Sequence, residues 1–185
     1  LVTAEGWVKR QKEIKEPGKS RIREGDRVLA CVAGSTRATL GLFSSLGTCY
    51  TARFIDIPAS TGYGEPIQKL FKLKDGEKIV GVMSFDARAI DGGPESLAED
   101  AKKPDECPWV HGFAATSDGY SQRFGLAGFT EPSTRAGRRF GRPAKGQAVV
   151  GFETVHGSET ILAVSADCRA MVCRADEVNY LSGPG

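Results

Sequence analysis

Two clusters of basic side chains are the strongest candidates for chemistry in this sequence, and the chemistry they could perform is anion binding. One cluster runs from Lys9 to Arg27 and the other from Arg135 to Lys145. The formal net charge is only +2, from 25 basic and 23 acidic side chains, yet residues 1–39 carry nine basic and five acidic groups. Such segregation is typical of a surface that attracts a negatively charged partner.

Cysteine and histidine residues could support disulfide, metal or acid–base chemistry, but their spacing favours none of these. The five cysteines include no Cys-x-x-Cys pair and are odd in number, so we expect free thiols in a reducing compartment. His111 and His156 have no neighbouring Cys or His, and we expect no metal and no cofactor. The sequence has neither a Gly-x-Gly-x-x-Gly element nor a Walker-type loop, and we find no catalytic triad.

The composition indicates a globular protein made of short strands. Of the 185 residues, 40% are hydrophobic and 26% are charged, which argues against disorder. No apolar run reaches the roughly 18 residues of a membrane-spanning helix. The 23 glycines predict many tight turns. Because the chain starts without Met or a signal segment, we expect it to be a piece of a longer polypeptide.

Four segments share one hairpin pattern, an apolar strand, a turn and a strand that ends near a basic residue. The turns are expected at 5–6, 46–47, 118–119 and 167–168. Asp118-Gly119 predicts a type I′ turn, in which φ is positive. Cys168 stands where the other three segments have glycine.

A further strand follows three of the hairpins, and the whole pattern predicts repeated blades. These strands are contained in residues 25–31, 76–82 and 146–152. We therefore expect an all-β, propeller-like fold of four-stranded antiparallel blades, with repeats at about 1–39, 40–86, 109–159 and 160–185. Residues 87–108, with three basic and six acidic side chains, are expected to form a protruding or poorly ordered insertion.

The ordered succession of these motifs resembles the C-terminal β-pinwheel domain of the A subunits of DNA gyrase and topoisomerase IV. The stretches 6–10 and 119–123 match the family's glycine-aromatic-x-x-arginine hairpin. The stretch 47–58, which ends in Asp56-Ile57-Pro58, matches its second hairpin form, and 168–178 repeats that form. The basic-glycine box that marks gyrase is absent, and residues 135–142 are the nearest equivalent. The choice between gyrase and topoisomerase IV therefore stays open.

The resemblance implies a non-catalytic domain of an ATP-dependent bacterial topoisomerase, which binds and wraps double-stranded DNA and presents it to the breakage-reunion core. The implied partners are the enzyme's ATPase subunit and the remainder of its A subunit, in the cytoplasm at the nucleoid. The alternative is a protein-interaction propeller with no direct role on DNA. The residues expected to contact the DNA backbone are Lys9, Arg10, Lys12, Lys19, Arg21, Arg23, Arg123, Arg135, Arg138, Arg139, Arg142 and Lys145.

Overall fold

The computed structural model describes residues 1–98 and 107–185, which form short strands and single-turn 3-10 helices. The strands are β1 (Val2–Thr3), β2 (Trp7–Val8), β3 (Val28–Ala30), β4 (Thr39–Ser44), β5 (Thr48–Arg53), β6 (Glu65–Pro66), β7 (Ile79–Ser84), β8 (His111–Thr116), β9 (Ser121–Phe124), β10 (Arg138–Arg139), β11 (Val149–Val155), β12 (Thr160–Val164), β13 (Ala170–Arg174) and β14 (Tyr180–Leu181). The 3-10 helices are Pro17–Lys19, Phe54–Asp56, Ile67–Lys69, Pro94–Leu97, Ala127–Phe129 and Ala175–Glu177. The expected all-β class is confirmed. In the described ranges, no helix has the length and apolar character needed to cross a bilayer.

Each of the first three hairpins is the centre of a four-stranded sheet, which we call a blade. Blade 1 has the strand order β3-β1-β2-β6, blade 2 the order β10-β5-β4-β7 and blade 3 the order β11-β8-β9-β14. Strands β12 and β13 form the two-stranded blade 4. Neighbouring strands are antiparallel, except that β14 runs parallel to β9.

The fourth strand of each complete blade comes from a later part of the chain. After the second hairpin, the chain returns so that β6 pairs with β2, and in the same way β10 pairs with β5 and β14 with β9. We call β6, β10 and β14 the exchanged strands. None of the three complete blades is therefore confined to one of the segments 1–39, 40–86, 109–159 and 160–185. Because unpaired edge groups need partners, each of the first three hairpins depends on the following repeat to extend its sheet.

The four hairpin turns share one geometry, at the positions that the sequence predicts. In each turn, the amide of a residue with positive φ donates to the carbonyl of a Thr or Ser three residues earlier, at 3.0 to 3.1 Å. The pairs are Gly6 with Thr3, Gly47 with Ser44, Gly119 with Thr116 and Cys168 with Ser165. Cys168, with a φ of +62°, is the one non-glycine residue with positive φ in the described ranges.

The predicted type I′ turn at Asp118-Gly119 is wrong in its type. A type I′ turn needs positive φ at both central residues, and Asp118 does not have it, whereas Gly119 does at +88°. The amide of Thr116 donates to the carbonyl of Tyr120 at 2.8 Å, so the loop holds three residues. This is the arrangement of a type I turn followed by a left-handed glycine. Both turn types require the glycine, which is why the residue pair alone does not distinguish them.

The buried core lies between neighbouring blades. Phe43 of blade 2 stacks on Phe152 of blade 3, with ring centroids 3.6 Å apart, and Phe140 packs edge-on against Phe43 at 5.4 Å. A second cluster joins blades 1 and 2 and includes Val8, Leu42 and Ile67. Blade 1 therefore buries apolar residues against blade 2, and blade 2 buries them against blade 3, as in other repeat proteins.

The acidic insertion is not a protrusion where the structure describes it, so this expectation is wrong for residues 87–98 and 107–108. Ile90 is 6% exposed and Leu97 is 2% exposed, and both pack in the aromatic core with Phe85 and Val110. The stretch is rich in Pro, Gly and acidic residues, and this composition gave no indication that Ile90 and Leu97 are buried. Residues 99–106 lie outside the described ranges.

A side chain four positions after each of the first three turn residues ties its blade to the next one. The three bonds run from Arg10 Nε to Ile57 O at 3.2 Å, from Thr51 Oγ1 to Phe129 O at 2.9 Å and from Arg123 Nε to Val178 O at 2.6 Å. We call these three donor side chains the clamp. Both arginines belong to the glycine-aromatic-x-x-arginine hairpins, so the two alternating hairpin forms differ in the clamp donor that they supply.

Blade 4 lacks this arrangement. Its residue at the clamp position is Val172, which is 65% exposed. Val164 and Met171 are 63% and 59% exposed, whereas their counterparts in blade 2, Phe43 and Tyr50, are 0% and 2% exposed. Within the described residues, β12 and β13 pair only with each other. The apolar positions that the other blades bury are therefore open in this hairpin.

Replacing Gly119 with valine should lower the free energy of unfolding by about 1–2 kcal/mol, because a β-branched residue disfavours positive φ. Its Cβ would meet nothing within 4 Å, so the cost is one of backbone conformation. Urea unfolding followed by circular dichroism measures the change. Gly128 has an equally open Cβ position without positive φ, and Gly128→Val should stay within about 0.5 kcal/mol of the parent. Equal losses at both sites would contradict the strained turn.

Replacing Cys168 with glycine should instead raise the free energy of unfolding by about 1 kcal/mol, because it removes a side chain from a left-handed position. Thermal unfolding under reducing conditions measures this gain. Cys168→Ala removes the thiol but keeps the Cβ, and it should leave the stability nearly unchanged. If alanine stabilises as much as glycine, the thiol and not the backbone is responsible.

Replacing the clamp residue Arg123 with methionine should cost about 2–3 kcal/mol, because charged hydrogen bonds are lost and two part-buried carbonyls lose their donor. The guanidinium of Arg123 donates to Val178 O at 2.6 Å and to Asp176 O at 3.2 Å. Arg53 is exposed, and Arg53→Met is the matched control, with an expected change of about 0.5 kcal/mol or less. Denaturant midpoints compare the two variants, and similar midpoints would show that the clamp does not stabilise the fold.

Candidate nucleic-acid interface

The first basic cluster lies on an irregular loop that packs against blade 1. We call residues 11–24 the basic loop, and its side chains Lys12, Lys19, Arg21 and Arg23 are exposed. The guanidinium of Arg21 lies over the ring of Tyr63 at 4.8 Å, and that of Arg23 lies over the ring of Trp7 at 4.5 Å. These cation–π contacts hold the two guanidinium groups near the surface of blade 1 and leave their edges free to donate.

Two residues predicted to contact DNA in this cluster have other partners. Lys9 is 1% exposed, and its Nζ donates to Arg21 O at 2.6 Å and to Gly62 O at 3.0 Å. Burial, followed by the nearby Arg21 charge, lowers the pKa of Lys9. Arg10 is half-buried and serves in the clamp. We therefore withdraw Lys9 as a phosphate contact and regard Arg10 as mainly structural.

The second basic cluster lies on the exchanged strand of blade 2 and on the segments around it. Strand β10 is an edge of that blade, and Arg139, in β10, is exposed. Arg135 before the strand and Arg142 and Lys145 after it are also exposed. Of the exchanged strands, β10 alone carries basic residues, since β6 is Glu65-Pro66 and β14 is Tyr180-Leu181.

Two further predicted contacts are engaged within the protein. The guanidinium of Arg138 donates to Glu131 O at 2.5 Å and to Pro132 O at 3.1 Å, and the side chain is half-buried. Arg123 is 9% exposed and acts as the blade 3 clamp. Arg123 is therefore withdrawn from the interface, and Arg138 can offer only part of its donor capacity.

The structure brings the two clusters together, although more than 100 residues separate them in the sequence. Arg23 covers Trp7, and Trp7 pairs with Pro66 of the exchanged strand β6. The 3-10 helix Ile67–Lys69 follows directly, and Arg135 Nη2 lies 3.4 Å from the carbonyl oxygens of both Gln68 and Lys69. The exchanged strand of blade 1 and its helix therefore bridge the basic loop and the second cluster.

This bridge adds two cations that the charge pattern of the sequence did not indicate. Lys69 and Lys72 are exposed, and the amide of Lys72 donates to Arg135 O at 2.7 Å. They were missed because residues 40–86 carry five basic and five acidic groups, and the average concealed the local excess. We call the exposed predicted contacts together with Lys69 and Lys72 the basic rim, which consists of Lys12, Lys19, Arg21, Arg23, Lys69, Lys72, Arg135, Arg139, Arg142 and Lys145.

Most of the basic rim is free of carboxylate partners within the described residues. Lys19 pairs with Glu16 at 2.6 Å and Lys69 pairs with Glu65 at 2.6 Å, and the four side chains are 40–78% exposed. Exposed pairs of this kind are weak, so a phosphate could displace either carboxylate. The remaining rim cations have no ion pair with a described acidic group and are available to an anionic ligand.

The histidines and the most buried cysteine are engaged in the framework. Burial lowers the pKa of His111, whose Nδ1 lies 2.9 Å from Pro108 O. His156 Nδ1 lies 2.7 Å from Glu159 Oε1. Burial would raise the pKa of Glu159, but hydrogen bonds from the side chain and backbone of His156 lower it to about 2. Burial raises the pKa of the Cys49 thiol to about 12, so it is a poor nucleophile at neutral pH.

Comparisons with known proteins support the resemblance indicated by the residues. No protein-family model matches the chain. The A subunit of DNA topoisomerase 4 from Caulobacter vibrioides is 32% identical over 88 residues, which are 47% of this chain and 12% of that protein. The A subunit of DNA gyrase from Aeromonas salmonicida is 28% identical over 152 residues, which are 80% of this chain and 14% of that protein.

The fold agrees with the sequence comparison. The crystal structure of the C-terminal domain of DNA topoisomerase IV superimposes with a TM-score of 0.77 at 17% identity, and the match covers 99% of this chain and 53% of that chain. The chain thus spans a small part of its curated relatives and about half of this solved domain. In sequence the chain is therefore similar to the A subunits of DNA gyrase and topoisomerase IV, and in fold it is similar to their β-pinwheel C-terminal domains.

Proposed function

We propose that the chain is a non-catalytic accessory domain of a bacterial type IIA topoisomerase, and that its basic rim binds and bends double-stranded DNA. The single observation that carries this proposal is the continuity of the basic rim across blades 1 and 2, through Trp7, β6 and Arg135. In this role the domain works with the enzyme's ATPase subunit and presents DNA to the breakage-reunion core of the A subunit.

The chemistry of the basic rim favours contact with the DNA backbone. Duplex DNA carries one negative charge per about 1.7 Å of its axis, and cations that neutralise phosphates release counterions. Arginine is suited to this task because its planar guanidinium can donate two parallel bonds to one phosphate. The rim lies on loops and strand edges, and the described helices have only three or four residues, too short to read bases from the major groove. We therefore expect binding that tolerates changes of DNA sequence.

Binding should weaken steeply with salt and should strengthen with duplex length until the basic rim is covered. If roughly 4 to 6 phosphates are neutralised, the slope of log K against log salt is about −4 to −5, from about −0.9 for each contact. Fluorescence anisotropy on duplexes of increasing length and unrelated sequence measures both effects. A slope near zero, or an affinity that does not depend on length, would favour the protein-interaction alternative.

The second cluster provides a matched pair of variants for the same measurement. Arg139→Gln with Arg142→Gln should make the slope less negative by about 1.8, the value for two lost phosphate contacts. The control is Arg169→Gln with Arg174→Gln, which removes the same charge from blade 4, where the two arginines pair with Asp167 and Asp176 at 3.0 and 2.6 Å. The control should keep the parent slope. Equal changes in both double variants would indicate a general effect of net charge and would contradict the proposed rim.

A further inference from the structure

Lys9 is an unusual residue to find inside this fold. Lysine is almost never fully buried without a counterion, because its ammonium group loses its hydration. Lys9 is 1% exposed, and its Nζ donates to the carbonyl oxygens of Arg21 and Gly62 and to no described carboxylate. Its counterparts, three positions after the other turn residues, are the uncharged Tyr50, Gln122 and Met171. The fold of the other blades therefore does not require a cation at this position.

One acceptor of Lys9 belongs to a partner of a cation–π pair, and the other belongs to the residue directly before the second partner. One acceptor is the carbonyl of Arg21, and the other is the carbonyl of Gly62, directly before Tyr63. The Arg21 guanidinium lies over the Tyr63 ring at 4.8 Å. By bridging these carbonyls, Lys9 Nζ fixes the backbones of Arg21 and Gly62 beside each other and so places the guanidinium over the ring.

The backbone around Gly62 is shaped to approach Lys9 closely. Gly64 has a φ of +87°, and a Cβ at this position would lie 2.4 Å from Val8 O and 2.9 Å from Lys9 Cβ. Only glycine tolerates both the conformation and the contact. Segment 62–64 is therefore packed directly on the backbone of residues 8 and 9.

The basic loop has few other attachments to the rest of the protein. Its 3-10 helix, Pro17–Lys19, is held by hydrogen bonds within the loop. Among the described residues, the bond from Lys9 Nζ to Arg21 O is the one hydrogen bond that joins residues 12–22 to another part of the chain. Without it, the placement of Arg21 depends on the cation–π contact with Tyr63.

We propose that Lys9 is a positioning residue, whose buried ammonium group latches the basic loop onto blade 1 and sets the place where Arg21 and Arg23 meet a DNA phosphate. The part of this inference that concerns DNA rests on the proposed function, whereas the latch itself can be tested without DNA. Lys9 acts through the two arginines and makes no phosphate contact of its own.

The latch is tested first in the absence of DNA, with Lys9→Met and the matched control Lys12→Met, an exposed lysine of the same loop. Both variants are made in a Trp109→Phe background, so that Trp7, which lies under Arg23, is the only tryptophan. Lys9→Met should increase acrylamide quenching of Trp7 and speed trypsin cleavage between Lys12 and Arg23 several-fold. Lys12→Met should leave the quenching unchanged and lose only its own cleavage site. Parent-like quenching and cleavage in Lys9→Met would overturn the latch, whatever the DNA result.

The second arm measures the salt dependence of duplex binding in a double-mutant cycle. Lys9→Met and the pair Arg21→Gln with Arg23→Gln should each make the slope less negative by about 1.8, and their combination should cause no further change. Additive changes would mean that Lys9 contacts phosphate itself and would overturn the positioning role. If the parent chain does not bind DNA, the proposed function fails while the first arm still decides the latch. If circular dichroism shows that Lys9→Met is unfolded, Lys9→Gln, which keeps one neutral donor, replaces it in both arms.

Discussion

The architecture depends on one constraint, that a hairpin of this fold cannot complete its own sheet. The edge of each of the first three hairpins is covered by an exchanged strand from the following repeat, and the clamp then fixes the corner of that repeat. The aromatic core also forms between blades, because Phe43 and Phe152 come from different blades. Backbone pairing, side-chain hydrogen bonds and apolar burial therefore all act between neighbouring blades, and the basic rim follows from the same exchange.

The hairpins could be predicted from the sequence because their determinants are local. A glycine in a left-handed position, a preceding hydroxyl residue and alternating apolar residues lie within ten positions of one another. The exchanged strands could not be predicted in the same way, since β6, β10 and β14 contain two residues each and have no periodicity to detect. The burial of the insertion could not be predicted for a related reason, because Ile90 and Leu97 are isolated apolar residues in a polar stretch and form no periodic pattern.

The basic clusters can be recognised in the sequence, but the roles of individual side chains depend on tertiary contacts. Lys9 and Arg123 are basic residues of the kind that bind phosphate, but their contacts within the fold are those of structural residues. Lys9 is buried, and Arg123 donates to the carbonyls of the next blade. Conversely, Lys69 and Lys72 belong to the rim only because β6 returns to blade 1. Charge patterning indicates a surface, whereas burial decides which cations reach it.

The exchange of strands also sets an order of events during synthesis. The partner of β2 begins at Glu65, which follows Val8 by 57 residues, so the first hairpin leaves the ribosome before the strand that covers it exists. At roughly 5–20 residues per second, that edge stays open for about 3–11 s. The first hairpin is thus an open sheet edge, able to pair with another chain, until the next repeat emerges.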